Sequence, residues 1–274
     1  MPSAWTDAAD ARLSLGSVSL EYACWGPAPE AAPTLVLLHE GLGSVEQWKT
    51  FPKALVKATG FGVMAYARAG YGRSDPVPLP LQLDYMTREA EDVLGGVMDD
   101  LGINKAVLLG HSDGATIAAI YAGSVSDMRV RGVILIAPHF FTEANGLAAI
   151  RAAGAAFETG DLRAKLAKYH DRVDCAFGGW FGAWSDPGFA DWNVADVIDH
   201  WRIPVLAIQG RDDPYGTVAQ ITEIEERIYS PLDTLILQDC GHAPHLEQPQ
   251  ATLQGIAEFC ARLDRLESEA VPFD

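Results

Sequence analysis

Six short apolar runs set the tightest limit on what this chain can fold into: residues 34–38 (TLVLL), 62–67 (GVMAYA), 106–109 (AVLL), 133–137 (VILIA), 205–208 (VLAI) and 234–237 (TLIL). Each is nearly continuous in apolar residues and bounded by Gly, Pro, His or charged residues. Strands read this way when helices cover both faces of a parallel sheet. Helical patterns lie between them. Residues 86–101 place apolar positions at helical spacing with acids opposite, 115–123 are rich in Ala and Ile, and 251–266 form an amphipathic helix. This alternation predicts an α/β fold with a doubly wound, mostly parallel sheet. Residues 12–25 alternate loosely and predict an antiparallel edge hairpin.

The alternation stops between residues 138 and 203. This stretch holds an Ala-rich helical pattern (146–157), a charged one (161–172) and a tract with Phe177, Trp180, Phe181, Trp184, Phe189 and Trp192. So long a connection without strands usually has a task of its own. It predicts an inserted helical cap over residues 141–200, with 1–140 and 201–274 forming the core. The alternative is a helical layer that simply covers the sheet. Residues 76–83 (PVPLPLQL) read as a loop.

Composition narrows the classes of function. At 274 residues, 49% hydrophobic and 21% charged, the chain can bury a sizeable core without disulfides or metals. A formal charge of −17, from 37 acidic and 20 basic residues, argues against nucleic acid and anionic membranes as partners. The N-terminal stretch lacks a basic segment followed by an apolar one, and no run of about 18 apolar residues predicts a membrane span. Cys24, Cys175, Cys240 and Cys260 are scattered and read as free thiols of a cytoplasmic protein. No CxxC or His/Cys cluster suggests a metal, no cofactor is implied, and nothing specifies an oligomeric state. The expected partner is a small-molecule substrate.

The strongest chemical signal is Gly110-His111-Ser112-Asp113-Gly114, directly after the strand AVLL and before the helix ATIAAIYAG. A serine oxygen is a weak nucleophile until a base takes its proton, and it must stand clear of the backbone to reach a substrate. A sharp strand-to-helix turn does this and needs small residues two before and two after the serine. Two later loops, each at a strand's C-terminal end, complete the set in the order serine, acid, histidine. After VLAIQ comes Gly210-Arg211-Asp212-Asp213, with either aspartate able to serve, and after TLILQ comes Asp239-Cys240-Gly241-His242. Acyl transfer also needs backbone N–H donors for an oxyanion. These are expected from Asp113 and from the loop His39-Glu40-Gly41-Leu42-Gly43, with Gly41 first and Leu42 second.

These stretches together resemble the α/β-hydrolase superfamily, in its capped hydrolase and esterase branch. The similarity runs over nearly the whole chain: LLHEGLGS with Trp48 nine residues after His39, then RAGYGRSDP, GHSDG, GRDDP and GHAPHLEQP. The resemblance implies Asp213 rather than Asp212 as the acid, and His242 as the base. Two positions depart from the family pattern or vary within it. Glu40 stands where the oxyanion loop usually has Gly after His. Asp113 makes the elbow Ser-Asp-Gly, similar to valacyclovirase-like hydrolases, in which the acidic residue favours amino-bearing substrates. Either these carboxylates make an acidic pocket mouth that accepts cationic or amino-bearing esters, or they hydrogen-bond to nearby backbone and never meet substrate.

The expected reaction is two-step transfer of an acyl group from an ester or lactone through Ser112. Candidate substrate contacts are Glu40, Leu42, His111, His139, Trp180 and Trp184; the tryptophans read equally as the insert's own core, and His139 as a packing residue. His245 reads as packing behind the site. The same three residues would serve a C–C bond hydrolase of a ring-cleavage dioxo acid, whose acidic substrate wants an arginine such as Arg68 or Arg151. Haloalkane dehalogenases and epoxide hydrolases fit less well, because they carry an Asp where Ser112 stands. A non-catalytic ligand receptor on the same fold is a third reading.

Overall fold

Leu, Val and Ile alternate along the central strands so that successive side chains enter opposite layers. A computed structural model describes residues 3–8 and 10–268. Among these, eight strands form one sheet: β1 (Arg12–Leu15), β2 (Val18–Trp25), β3 (Thr34–Leu38), β4 (Gly62–Tyr66), β5 (Ala106–His111), β6 (Val130–Ile136), β7 (Val205–Gly210) and β8 (Leu232–Leu237). Their order is β1-β2-β4-β3-β5-β6-β7-β8. The first two strands pair as the expected hairpin, and β2 runs antiparallel to β4. From β4 to β8 every pairing is parallel.

The helices are α1 (Phe51–Thr59), α2 (Tyr85–Arg88), α3 (Gly95–Asp100), α4 (Asp113–Ser124), α5 (Ala144–Thr159), α6 (Leu162–Leu166), α7 (Val173–Ser185), α8 (Ala219–Arg227), α9 (Pro244–Glu247) and α10 (Pro249–Ser268). A π-helical stretch, Glu89–Leu94, joins α2 to α3. On one face of the sheet, Leu35, Leu37, Val63 and Val107 pack with Leu55 of α1 and Phe259 of α10. On the other, Val36, Leu38, Met64 and Leu108 pack with Ile117 of α4 and with Leu94 and Val97. Burying each such side chain contributes about 1.5–3 kcal/mol. Among the described residues no helix is long and apolar enough to cross a membrane.

Between β6 and β7 lie α5, α6 and α7, followed by short 3-10 turns over Pro187–Phe189 and Ala195–His200. Much of the aromatic tract packs on itself, with Phe177 stacked on Phe181 at 5.3 Å and Phe189 on Trp192 at 5.0 Å, and Phe177 also stacks on Phe157 of α5 at 3.7 Å. The charged pattern over 161–172 is helical only at Leu162–Leu166. Tertiary bonds end it, for Gly72 N–H donates to the His170 ring at 2.9 Å and Asp171 N–H donates to the Gly72 carbonyl at 3.0 Å. The chain returns to the sheet at Trp201, fully buried, whose indole N–H donates to the Ala119 carbonyl of α4 at 2.9 Å. Replacing Trp201 by Ala is expected to cost about 3–5 kcal/mol in urea unfolding, the range for emptying a large aromatic site. A loss under about 1 kcal/mol would mean that this return is not pinned there.

Candidate active site

β5 turns into α4 at Ser112, whose φ of 55° and ψ of −120° lie outside the regions open to most L-residues. Crowding explains the flanking glycines. A Cβ on Gly110 would lie 2.1 Å from the Gly114 carbonyl oxygen, and one on Gly114 would lie 2.0 Å from that of Leu38. Ser112 N–H donates to the Ile136 carbonyl at 2.9 Å, tying the turn to β6. The first N–H groups of α4 have no partner within the helix, and the helix dipole adds positive character there.

Two other loops converge on this turn. His242, after β8, places Nε2 2.9 Å from Ser112 Oγ and Nδ1 2.8 Å from Asp213 Oδ2. Asp213, after β7, is buried and also accepts from Gln209 Nε2 (2.9 Å), Tyr215 N–H (2.8 Å) and Gly216 N–H (3.3 Å). Burial pushes its carboxyl up, but the bonds from His242 and from the Tyr215 N–H outweigh that and hold it below its ordinary value. Asp212 is exposed, with its own N–H on the Cys240 carbonyl at 2.9 Å. Of the adjacent aspartates, only Asp213 meets the histidine. The loop carrying His242 is braced by the Glu247 carboxylate, which accepts Gly241 N–H (2.7 Å) and Ala243 N–H (2.9 Å). His111 Nε2 donates to the His242 carbonyl at 2.7 Å, so this side chain supports the loop as well as lining the cavity.

In the loop after β3, Leu42 N–H donates to the Glu40 carboxylate at 2.6 Å and Gly43 N–H to the Glu40 carbonyl at 3.1 Å. Leu42 N–H and Gly43 N–H are thus engaged within the loop, and among the described residues the Gly41 N–H makes no hydrogen bond. The Trp180 indole lies hard against Gly41, where a Cβ would come within 2.2 Å of its Nε1.

A cavity of about 370 Å³ opens over Ser112 and His242. All the expected contact residues line it: Glu40, Leu42, His111, His139, Trp180 and Trp184. Ile150, Leu162 and Leu166 from α5 and α6 add an apolar wall, and His245 lies within the lining, packed between Trp48 and His111. Three carboxylates face the cavity, and each is engaged. Glu40 holds Leu42 N–H. Asp113 accepts the Tyr85 hydroxyl, which accepts Trp184 Nε1 at 3.0 Å. Glu143 accepts Thr217 N–H at 2.9 Å, Thr217 Oγ1 at 2.8 Å and Gln220 Nε2 at 2.8 Å. Burial pushes the Glu40 and Asp113 carboxyls up. Neither arginine considered for an acidic substrate is in the lining: Arg68 is buried behind the loop and Arg151 is exposed on α5.

Several of these residues escaped the sequence reading. Gln209, fully buried at the end of an otherwise apolar strand, was signalled by its polarity alone. Glu247 lies inside the GHAPHLEQP stretch. Tyr85 and His170 carry no local signal, because their partners are distant in sequence.

Over residues 35–254 the chain matches the alpha/beta hydrolase family, and it belongs to that family. It is a hydrolase by that membership. Its sequence is 31% identical to a mouse sn-1-specific diacylglycerol lipase, ABHD11, over 84% of this chain and 81% of that one. The zebrafish form is 32% identical over 46% of this chain and 38% of that one. Epoxide hydrolase B of Mycobacterium tuberculosis is 34% identical over 42% and 31%. The chain thus spans about a third of the length of these last two relatives. Among solved structures, an enol-lactonase from Burkholderia xenovorans LB400 superposes with a TM-score of 0.71 at 22% identity, covering 91% of this chain and 99% of that one.

The buried histidines predict an acid-sensitive fold. Burial lowers the pKa of His39, His111 and His170, takes His139 to about 3 and takes His245 to about 4. The unfolded chain therefore binds protons that the native one refuses, so stability falls as pH drops below the free-histidine value of about 6.5. Each group adds a slope of up to about 1.4 kcal/mol per pH unit. The raised carboxyls of Glu40 and Asp113 act in the opposite sense, between their raised values and that of a free carboxyl, so the histidines' share is read from the difference that His245→Phe makes. The urea midpoint is expected to be lower at pH 5 than at pH 7.5, and His245→Phe to flatten the dependence. A midpoint that stays constant over that interval would contradict the burial of these rings as neutral groups.

Proposed function

We propose that the protein is a serine hydrolase that cleaves a small-molecule carboxylic ester or lactone through an acyl-enzyme on Ser112. The observation that carries this reading is the hydrogen-bonded series Ser112–His242–Asp213 at a strained turn beneath the cavity. His242 takes the Ser112 proton as the oxygen attacks the carbonyl. Asp213, kept ionised, fixes the imidazole tautomer and stabilises the imidazolium. The N–H groups of Asp113 and Gly41 receive the oxyanion. Water then releases the acyl group by the same route. Residues 141–200 act as a cap over the core formed by 1–140 and 201–274, with Trp180, Trp184 and the Ile150–Leu162–Leu166 wall selecting an apolar acyl or alcohol group. The carboxylates of Glu40 and Asp113 serve as internal hydrogen-bond acceptors rather than as a docking site for an amine. Four unpaired cysteines support a cytoplasmic setting.

The lipase and lactonase names of relatives support an ester or lactone substrate. A hydroxyl at the elbow, rather than a carboxylate, disfavours epoxide chemistry. The absence of Arg68 and Arg151 from the cavity lining disfavours an acidic C–C substrate.

Ser112→Ala is expected to abolish turnover of nitrophenyl esters while leaving the fold intact. Asp213→Asn should lower kcat by about 10⁴, the loss seen when the tautomer is wrong, and Asp212→Asn should stay near wild type. Equal losses at both aspartates would overturn the acid assignment. Gly41→Ala, which drives a methyl into the Trp180 indole, should cost about 10²–10³ in kcat, the effect of losing one oxyanion donor. A wild type that turns over none of a panel of nitrophenyl esters and lactones would sink the whole reading.

A further inference from the structure

The carbonyls of the loop at residues 39–43 are gripped from two sides by side chains outside it. Arg68, buried after β4, donates from Nη1 to the His39 carbonyl at 2.6 Å and from Nη2 to the Glu40 carbonyl at 3.0 Å. Its backbone N–H donates to His39 Nε2 at 3.1 Å, and its guanidinium lies 4.9 Å from the centre of the Tyr71 ring. From the other side comes His170, in the turn between α6 and α7. Its Nδ1 accepts Gly72 N–H at 2.9 Å, which makes Nε2 the protonated nitrogen that donates to the Leu42 carbonyl at 2.9 Å.

The peptide plane converts this grip into an aim. The Glu40 carbonyl and the Gly41 N–H belong to one planar trans unit and point in opposite directions. The Glu40 carbonyl is held by Arg68 Nη2 together with His39 Nδ1 at 2.7 Å and Gly43 N–H at 3.1 Å, and Arg68 also holds the His39 carbonyl before it, so this set of bonds fixes where the Gly41 N–H points. The Leu42 carbonyl, held by His170, fixes the exit of the same loop. We propose that Arg68 and His170 are positioning residues that aim the Gly41 N–H at the oxygen that becomes negative during attack by Ser112. The inference rests on the serine-hydrolase reading and makes residues 141–200, through His170, a working part of the oxyanion site.

His170→Phe keeps a ring in place but loses both bonds, His170→Gln keeps an N–H for the Leu42 carbonyl, and Arg68→Lys keeps the charge but loses the two-armed grip. With nitrophenyl butyrate, His170→Phe and Arg68→Lys are expected to lower kcat by about 10–100-fold, less than outright loss of a donor, with KM changed by less than about threefold. Phenylboronic acid, which forms a tetrahedral adduct with a serine, should bind these variants more weakly by the same factor as kcat falls. His170→Gln should recover most of the loss. Near-UV circular dichroism reports whether each variant is folded, and the His170 pair decides the matter if Arg68→Lys is not. The proposal is overturned if KM rises while kcat holds, if boronate affinity is unchanged as kcat falls, or if Gln does no better than Phe. A wild type inactive on every ester would count against the hydrolase reading instead, while boronate affinity would still report on the clamp.

Discussion

The site depends on the close meeting of β3, β5 and α4 around Gly110 and Gly114, where no methyl group fits. Backbone packs on backbone there, and the residue between the glycines is forced into a left-handed conformation. A serine in that position projects beyond the sheet edge because the chain has no room to do otherwise. The rest of the site follows from the parallel sheet. Strands running the same way deliver their C-terminal loops to the same edge, so the segments after β3, β7 and β8 arrive around the serine without any long excursion.

Negative charge is abundant around this point, yet it is almost wholly committed. Each carboxylate in the cavity wall accepts hydrogen bonds from the protein's own amides or hydroxyls. Glu40 is instructive. It occupies a position where a glycine would be usual, but it is not among the residues with positive φ, so the backbone there makes no demand that a side chain cannot meet. What the side chain adds is a local acceptor that engages Leu42 N–H within the loop.

How much of this was legible in the sequence depended on range. The strands announced themselves through unbroken apolar runs, and β3 was bounded correctly at Thr34 and Leu38. The convergence of Ser112, Asp213 and His242 was readable because each sits just past a strand that a local pattern identifies. Asp212 and Asp213 could not be separated by pattern, since neighbouring aspartates look alike until burial distinguishes them. The helical extent of 161–172 was overestimated because spacing and propensity carry no information about Gly72, nearly a hundred residues away, whose amide and carbonyl draw the chain out of the helix. Arg68 was visible as a charge, and its destination among backbone carbonyls was not.

The attachment of α5 has a consequence for how the molecule fails under heat. Glu143, just before α5, bonds to Thr217 and Gln220, and Gly146 in the first turn of α5 packs against the Tyr215 carbonyl so closely that a Cβ would lie 2.4 Å from its oxygen. Tyr215 N–H is in turn a donor to Asp213. The helical segment and the loop bearing Asp213 therefore share their anchors. Release of α5 on warming thus removes contacts that also hold the segment after Asp213. Strengthening that seam lengthens the working life of the protein even where it adds nothing to the stability of the sheet.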